Sequence, residues 1–294
     1  MNIKKWLSEN THSLKGKKVA ITGATGGIGK ELCEYLGSLE ADLILMDRNI
    51  SRSRELGDSI CIKYGIKVEY ITTDLSDFKS VRCAAEILKN QKPDIFIHNA
   101  GAYSIPRYVT DIGYDNVFQI NFISPYYIIR SILPEISEKQ GKIVVVGSIA
   151  HNYSKADKND IDFKKRKKAS LVYGNAKRYL MFSLYELFEE ENRGLFSITH
   201  PGITFTNITA HYPKMIFAII KYPMKIIFMK PKIACFSILK GVFESCENLE
   251  WIGPEIFNIW GRPSKKILKT CSKSESVFIG NTAEKIYNEL KERN

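Results

Sequence analysis

Short runs of β-branched and other apolar residues recur along the chain, each followed by a longer stretch whose apolar positions return every three or four residues. The first pattern suits strands buried on both faces, the second amphipathic helices packed along one side. Strands are predicted at Lys18 to Gly23, Asp42 to Arg48, Val68 to Asp74, Asp94 to Asn99, Lys142 to Ser148 and Leu195 to His200. Helices are predicted over 27–38, 51–64, 77–90, 111–133 and 171–193, several led by a Ser, Thr or Asp able to cap the first turn. At least six strands alternating with helices make an α/β fold, a Rossmann-type doubly wound parallel sheet in three α/β/α layers. No internal repeat interrupts the alternation. A chain of 294 residues can bury one substantial core, so one domain is expected over 1–294. Residues 18–150 would form its dinucleotide-binding part. Residues 151–294 would supply a catalytic helix, a substrate-covering segment and the C-terminal region.

Composition changes little in this picture. With 44% hydrophobic and 26% charged residues the chain is neither disordered nor fibrous. No stretch reaches the roughly 18 apolar residues of a membrane span, and the start lacks a signal-peptide core, so a cytoplasmic location is expected. Six scattered cysteines form no CxxC pair and lie near no histidine, which excludes a zinc motif; no metal is expected. The formal net charge is +11, concentrated in Lys164 to Lys168 and in five lysines between 214 and 232. The first run has no stacking aromatics beside it and no nucleic-acid fold around it, so a solvated loop is the better reading and no nucleic-acid partner is expected.

Candidate chemistry falls at strand ends, where a doubly wound sheet places its ligands. The first strand runs into Thr22-Gly23-Ala24-Thr25-Gly26-Gly27-Ile28-Gly29 and then a helix. Gly23, Gly27 and Gly29 let the backbone approach a pyrophosphate at a helix N-terminus, with Thr25 and Ile28 in the same turn. Asp47 ends the second strand, where a carboxylate accepts hydrogen bonds from an adenosine ribose and repels a ribose phosphate; Arg48 beside it pulls the other way. NAD is favoured over NADP. Asp74 is placed either at an adenine edge or as the cap of the next helix. Asn99, Ala100 and Gly101 end the fourth strand, small enough for a cofactor to lie against the backbone.

Tyr173 and Lys177 are four residues apart in a predicted helix and share a face. An ammonium about 4 Å from a phenol, at an effective dielectric near 20, favours the phenolate by about 4 kcal/mol before desolvation. Tyr173 then becomes a usable general base. Ser148 can hold a substrate oxygen beside it, and Asn121 can support a water that links Lys177 to solvent.

Together these residues resemble the short-chain dehydrogenase/reductase family. The likeness rests on TGATGGIG at 22–29, Asp47, Asp74-Leu75, HNAG at 98–101, Asn121, Ser148, YGNAK at 173–177, and HPG at 200–202 followed by Thr206. The resemblance implies an NAD(P)-dependent oxidoreductase acting on alcohols and carbonyls, with Asn121, Ser148, Tyr173 and Lys177 as catalytic tetrad. It places Leu75 at the adenine, and Pro201, Gly202, Ile203 and Thr206 around the nicotinamide. Within the family the chain is similar to the retinol-dehydrogenase-like branch, through the 25-residue interval from Ser148 to Tyr173 with His151 and Ile161-Asp162-Phe163 inside it. Asp47 departs from that branch's NADP users, which commonly carry an uncharged residue there. By the same resemblance, residues 211–236 cover the substrate. Their Ile, Phe, Met and Tyr imply a lipophilic alcohol, aldehyde or ketone, and their interleaved lysines are compatible with a peripheral membrane contact. Helices 111–133 and 171–193 resemble those that pair subunits in related enzymes, which implies a homo-oligomer. The competing reading is a non-catalytic NAD(P)-binding regulatory or membrane-associated protein of the same fold.

Overall fold

The computed structural model describes residues 3–188, 195–204, 229–247 and 249–293. Within them an eight-stranded sheet is built from β1 (Lys18–Thr22), β2 (Asp42–Asp47), β3 (Val68–Thr72), β4 (Ile95–His98), β5 (Lys142–Val146), β6 (Phe196–Thr199), β7 (Glu250–Ile256) and β8 (Trp260–Ile267). The spatial order is β3-β2-β1-β4-β5-β6-β7-β8. All pairs are parallel except β7 with β8, which form an antiparallel hairpin at the edge. The order reverses between β1 and β4, so a crevice opens beyond the carboxyl ends of these two strands.

Alternate side chains along each strand enter opposite cores, as the period of two requires. Val19, Ile21, Leu43, Leu45 and Ile97 face α1 (Ile3–Asn10), α2 (Gly27–Ser38) and α3 (Ile50–Tyr64), which contribute Trp6, Leu36 and Ile60. Ala20, Ile44, Phe96, Ile143 and Val145 face α4 (Phe78–Gln91) and the helices that follow. The predicted helix over 111–133 begins later, at α5 (Asn116–Phe118), because Asp115 caps it and the preceding residues form a turn closed by a Val109 to Asp115 bridge. It passes through a π-helical turn (Gln119–Ile123) into α6 (Ser124–Glu138). The predicted helix over 171–193 is α7 (Ala169–Leu187), with residues 189–194 outside the described ones.

Three elements run against expectation. Residues 231–236, predicted as the end of the substrate cover, begin α8 (Pro231–Phe243). Ala234, Cys235 and Phe236 of that helix are buried, and Phe236 stacks on Trp6 at 4.5 Å. Residues 234–236 are therefore core, while Lys232 is exposed; residues 211–228 lie outside the described ones. The β7–β8 hairpin lies beyond the six predicted strands. The third, α9 (Lys273–Glu292), packs on α7 and α6, where Arg130 pairs with Glu284 at 2.9 Å, Ser276 donates to Glu186 and Tyr127 packs on Tyr287. The chain's own C-terminal helix thus covers part of the two helices that the resemblance names for subunit pairing. Among the described residues no helix is long and apolar enough to cross a membrane.

Candidate active site

The glycine turn closes against the far side of the crevice. Gly23 has φ +68, and a Cβ there would lie 2.9 Å from the Cα of Ala100. A Cβ on Gly29 would collide with the carbonyl oxygens of Gly23 and Ala24, so only glycine lets α2 start this near β1. Gly26 is the N-cap and offers no side-chain cap, and Gly27 and Ile28 open the helix, which leaves first-turn N–H groups available to an anion. Thr22 ties the two sides together. Its hydroxyl accepts from the N–H groups of Asn99 and Ala100, both at 3.1 Å, and pairs with His98 Nδ1 at 3.0 Å. Asn99 donates its amide to the carbonyls of Thr22 and Gly23. This spine between β1 and β4 includes His98, quoted in the HNAG motif without a role of its own. Burial holds the His98 imidazole well below its usual range.

At the adenosine end, Asp47 accepts from the Thr25 N–H at 3.3 Å, the Thr25 hydroxyl at 3.1 Å and the Ser53 hydroxyl at 3.2 Å. Burial raises its carboxyl above the ordinary value against these bonds. Arg48 is exposed beside it. Asp74 does not cap α4; Asp77 does, accepting from the Lys79 N–H at 3.0 Å, while Asp74 folds onto Ser76 in a local turn. Leu75 places its side chain in the core and its carbonyl on Gln119 and Ser124.

Ser148, Tyr173, Lys177 and Asn121 come together beyond β5 and β4. Ser148 caps a 3₁₀ turn (Ile149–Tyr153) through the Ala150 N–H, and its side chain stands by Tyr173, where it favours the phenolate. Lys177 Nζ donates to the Val146 carbonyl at 3.0 Å and lies 5.9 Å from the centre of the Tyr173 ring. It also approaches Gly101, where a Cβ would stand 3.7 Å from Nζ and 2.9 Å from Asn121 Oδ1. Asn121 sits in the π-helical turn. Its amide donates to the carbonyls of Ala102 and Val117 and accepts from the Ala102 N–H, so it clamps the loop after Gly101. The protonation balance differs from expectation. Burial pushes the Tyr173 phenol up to about 12, against the lowering influence of Ser148, and burial brings Lys177 down to about 8. Each charged form is disfavoured by desolvation, so the lysine does not offset the burial of the phenol.

Two tyrosines unremarked in the sequence flank this phenol. Tyr103 meets the Tyr173 ring edge-on at 5.3 Å, and Tyr153 acts on it electrostatically. Behind Ser148 stands a buried network. His151 Nδ1 contacts the Ser148 carbonyl at 2.6 Å, so that nitrogen carries the proton, and Nε2 accepts from Thr270 at 2.9 Å. Arg178, one residue after Lys177, donates to the carbonyls of His151 and Thr270 and to both oxygens of Glu275. No sequence signal marked Arg178, because two of its partners, Thr270 and Glu275, lie about a hundred residues away.

Pro201 and Gly202 follow β6 and are buried; Gly202 has φ +79 and sits against Met229 and the Ile259 carbonyl. The Ile203 carbonyl accepts from the Met229 N–H at 2.9 Å. Thr206 lies outside the described residues. Among the described residues no cluster of His, Cys, Asp or Glu could hold a metal ion.

A family model described as short chain dehydrogenase matches residues 17–158. The chain is similar to an uncharacterized oxidoreductase of Schizosaccharomyces pombe, 30% identical over 232 residues, covering 72% of this chain and 68% of that protein. It is also similar to retinol dehydrogenase 12 of Mus musculus, 29% identical over 202 residues, covering 67% of this chain and 64% of that protein, just under two thirds of its length. A solved structure of an uncharacterized protein from Mycobacterium paratuberculosis matches with a TM-score of 0.74 and 20% identity over 94% of this chain and 95% of that one, a likeness of fold.

Proposed function

Because the chain belongs to the short-chain dehydrogenase family, in its retinol-dehydrogenase-like branch, we propose that it interconverts a lipophilic alcohol and the matching aldehyde or ketone, using a nicotinamide dinucleotide. The observation that carries this reading is the convergence of Tyr173 and Lys177 on one helix face, with Nζ 5.9 Å from the Tyr173 ring centre and reaching between Val146 and Gly101, beside Ser148, which favours the phenolate against burial. The residues present fit such a dinucleotide: the Gly23 to Gly29 turn excludes side chains where a pyrophosphate needs the backbone, and Gly101 leaves open the space above Lys177 and Asn121. When bound, the nicotinamide supplies the hydride acceptor or donor.

This chain's own residues handle the proton. In reduction, Tyr173 Oη gives its proton to the carbonyl oxygen as that oxygen gains negative charge, and Ser148 holds the oxygen in place. In oxidation the same oxygen atom takes the hydroxyl proton. A phenol held near 12 is protonated at neutral pH and poised as an acid. To act as a base it needs added positive charge, which a protonated Lys177 and a cationic oxidised nicotinamide supply. Asn121 clamps the Ala102 backbone and so keeps the Gly101 end of the crevice in register with Lys177.

Asp47 favours NAD, since its carboxylate stands at the end of β2 where a ribose phosphate would meet it. The lipophilic substrate is supported by the tyrosines around the phenol and by the apolar composition of 211–228. The decisive experiment is purified protein assayed with NAD(H) and NADP(H) against lipophilic alcohols and ketones, following reduced-nicotinamide absorbance. Turnover with at least one cofactor is expected. Its absence across a broad panel, with nucleotide binding retained, would favour a non-catalytic nucleotide-binding role.

A further inference from the structure

Ten large apolar residues are exposed among the described residues, and four of them, Ile256, Phe257, Trp260 and Ile267, fall within one hairpin. Phe257 at its tip is 82% exposed, Ile256 47% and Trp260 39%. Ile256 and Trp260 are cross-strand partners, so they share a face beside the tip. Local structure does not call for an aromatic here. Phe257 and Asn258 both have positive φ, at 52° and 58°, in the left-handed region that suits glycine and asparagine and penalises bulky side chains. The turn is braced from within by Lys266, which donates to the carbonyls of Pro254 and Glu255 and to Asn258 Oδ1. A stiff wedge therefore presents apolar groups to the outside.

Position and charge say what the wedge fits. The tip extends from the carboxyl end of β7, parallel to β6, and so stands on the same edge of the sheet as the candidate active site. The Asn258 carbonyl contacts His200 Nε2 at 3.1 Å and the Ile259 carbonyl packs against Gly202, at the root of the loop that leaves β6. From Glu255 to Lys269 the chain carries Arg262, Lys265, Lys266 and Lys269 against one acidic residue, Glu255, and Lys265 lies 3.9 Å from Glu244, so the hairpin is net cationic. Pairing of β8 with a strand of another molecule is opposed by Pro263 and by the irregular register near the tip. Apolar side chains at an apex with cations behind them match a surface that has negative charge outside and hydrocarbon beneath.

We propose that the β7–β8 tip docks the protein on an anionic phospholipid bilayer, seating Ile256 and Phe257 at the headgroup boundary beside the mouth of the site. This goes beyond the oxidoreductase reading and does not depend on it, since docking is measured without nucleotide or substrate. The test is co-sedimentation of the full chain with phosphatidylcholine vesicles, with and without phosphatidylserine. Binding is expected to the phosphatidylserine vesicles and to weaken with salt. Phe257→Asn should lower the partition coefficient about tenfold while leaving the melting temperature unchanged or higher, because asparagine suits the left-handed turn. Arg262→Gln with Lys265→Gln should weaken binding to the anionic vesicles. Failure of the wild-type chain to bind phosphatidylserine vesicles would overturn the proposal, and so would equal binding by Phe257→Asn. A change in oligomeric mass on Phe257→Asn with no change in vesicle binding would also overturn it, by assigning the tip to a second copy of the chain.

Discussion

Arg178 holds both carboxylate oxygens of Glu275 at 2.7 Å, joining α7 one residue beyond Lys177 to the first turn of α9. The guanidinium is 1% exposed and the carboxylate 13%. The same two side chains reach the carbonyls of His151 and Thr270 and the N–H of Ala156, so the turn behind Ser148 is fixed from three directions. Removing the carboxylate strands a buried positive charge, at a cost of about 3 to 5 kcal/mol. Glu275→Ala is expected to lower the melting temperature by roughly 10 °C in calorimetry. A shift within a degree would show that the pair contributes nothing to stability.

Tyr173→Phe removes one oxygen and keeps the ring that packs against Tyr103. Nucleotide binding should be unchanged, and turnover should fall by about 100-fold or more, the usual range for a lost general acid. Titration of nucleotide by fluorescence beside steady-state rates separates the two effects. Full turnover in the variant would place the proton transfer elsewhere.

Lys177 carries its proton below about pH 8 and loses it above. In reduction the phenolate left on Tyr173 needs that positive charge, so kcat/KM for the carbonyl should decline as pH rises through about 8. Lys177→Met should abolish this limb and lower the plateau. If the variant kept the same alkaline limb, the titrating group would be another.

Acid stability follows from three buried histidines. Burial depresses His151 to about 4 and His200 to about 3, and holds His98 well below the usual 6.5. The unfolded chain therefore takes up protons near pH 6.5 while the folded chain does not, and stability must fall as pH drops from there toward 4. Melting temperatures measured between pH 7 and 4 should show this slope, and His151→Gln should flatten it. A constant melting temperature over that window would contradict the burial of these rings as neutral groups.

The proposed preference for NAD rests on Asp47. Asp47→Ala removes a carboxylate from the end of β2 and leaves Arg48 as the nearest charge, so the preference for NAD should shrink or reverse. Relative KM values for NADH and NADPH report it. Burial also raises the Asp47 carboxyl, so in the wild-type chain the preference should weaken as acid protonates this group, at a higher pH than for an exposed aspartate. Relative affinities unchanged by the substitution would remove Asp47 from cofactor selection.

Much of the sheet was legible because central strands are short apolar runs with sharp polar ends. β1, β2, β3 and β5 begin at the predicted residues, and each predicted strand ends one or two residues late because the chain turns away there into a loop of the candidate site: Gly23, Arg48, Asp74 and Ser148. Beyond β6 the sheet was not legible. Gly253, Pro254, Gly261 and Pro263 interrupt the apolar pattern that marks the central strands, yet they lie in the hairpin, where an edge strand tolerates proline and glycine accommodates an irregular register. In the candidate site, local motifs marked Gly23, Asn99, Ser148 and Tyr173. Asn121 was marked too, but its place in a π-helical turn, bonded back to Val117, follows from tertiary contacts. Tyr103 and Arg178 carried no pattern at all, since their roles rest on partners distant in sequence.

The bond from His151 to Thr270 spans 119 residues, and that from Arg178 to Glu275 spans 97. Every group proposed for the chemistry precedes residue 178, yet what holds the Ser148 turn in place is made last as the chain is synthesised from its N-terminus. A nascent chain that has emerged only through α7 thus carries the reacting groups without their brace. Closure of these long loops comes late in folding, where its entropic cost is greatest, so a ribosome-tethered chain lacking residues 270–275 should already contain the parallel strands and still be inert.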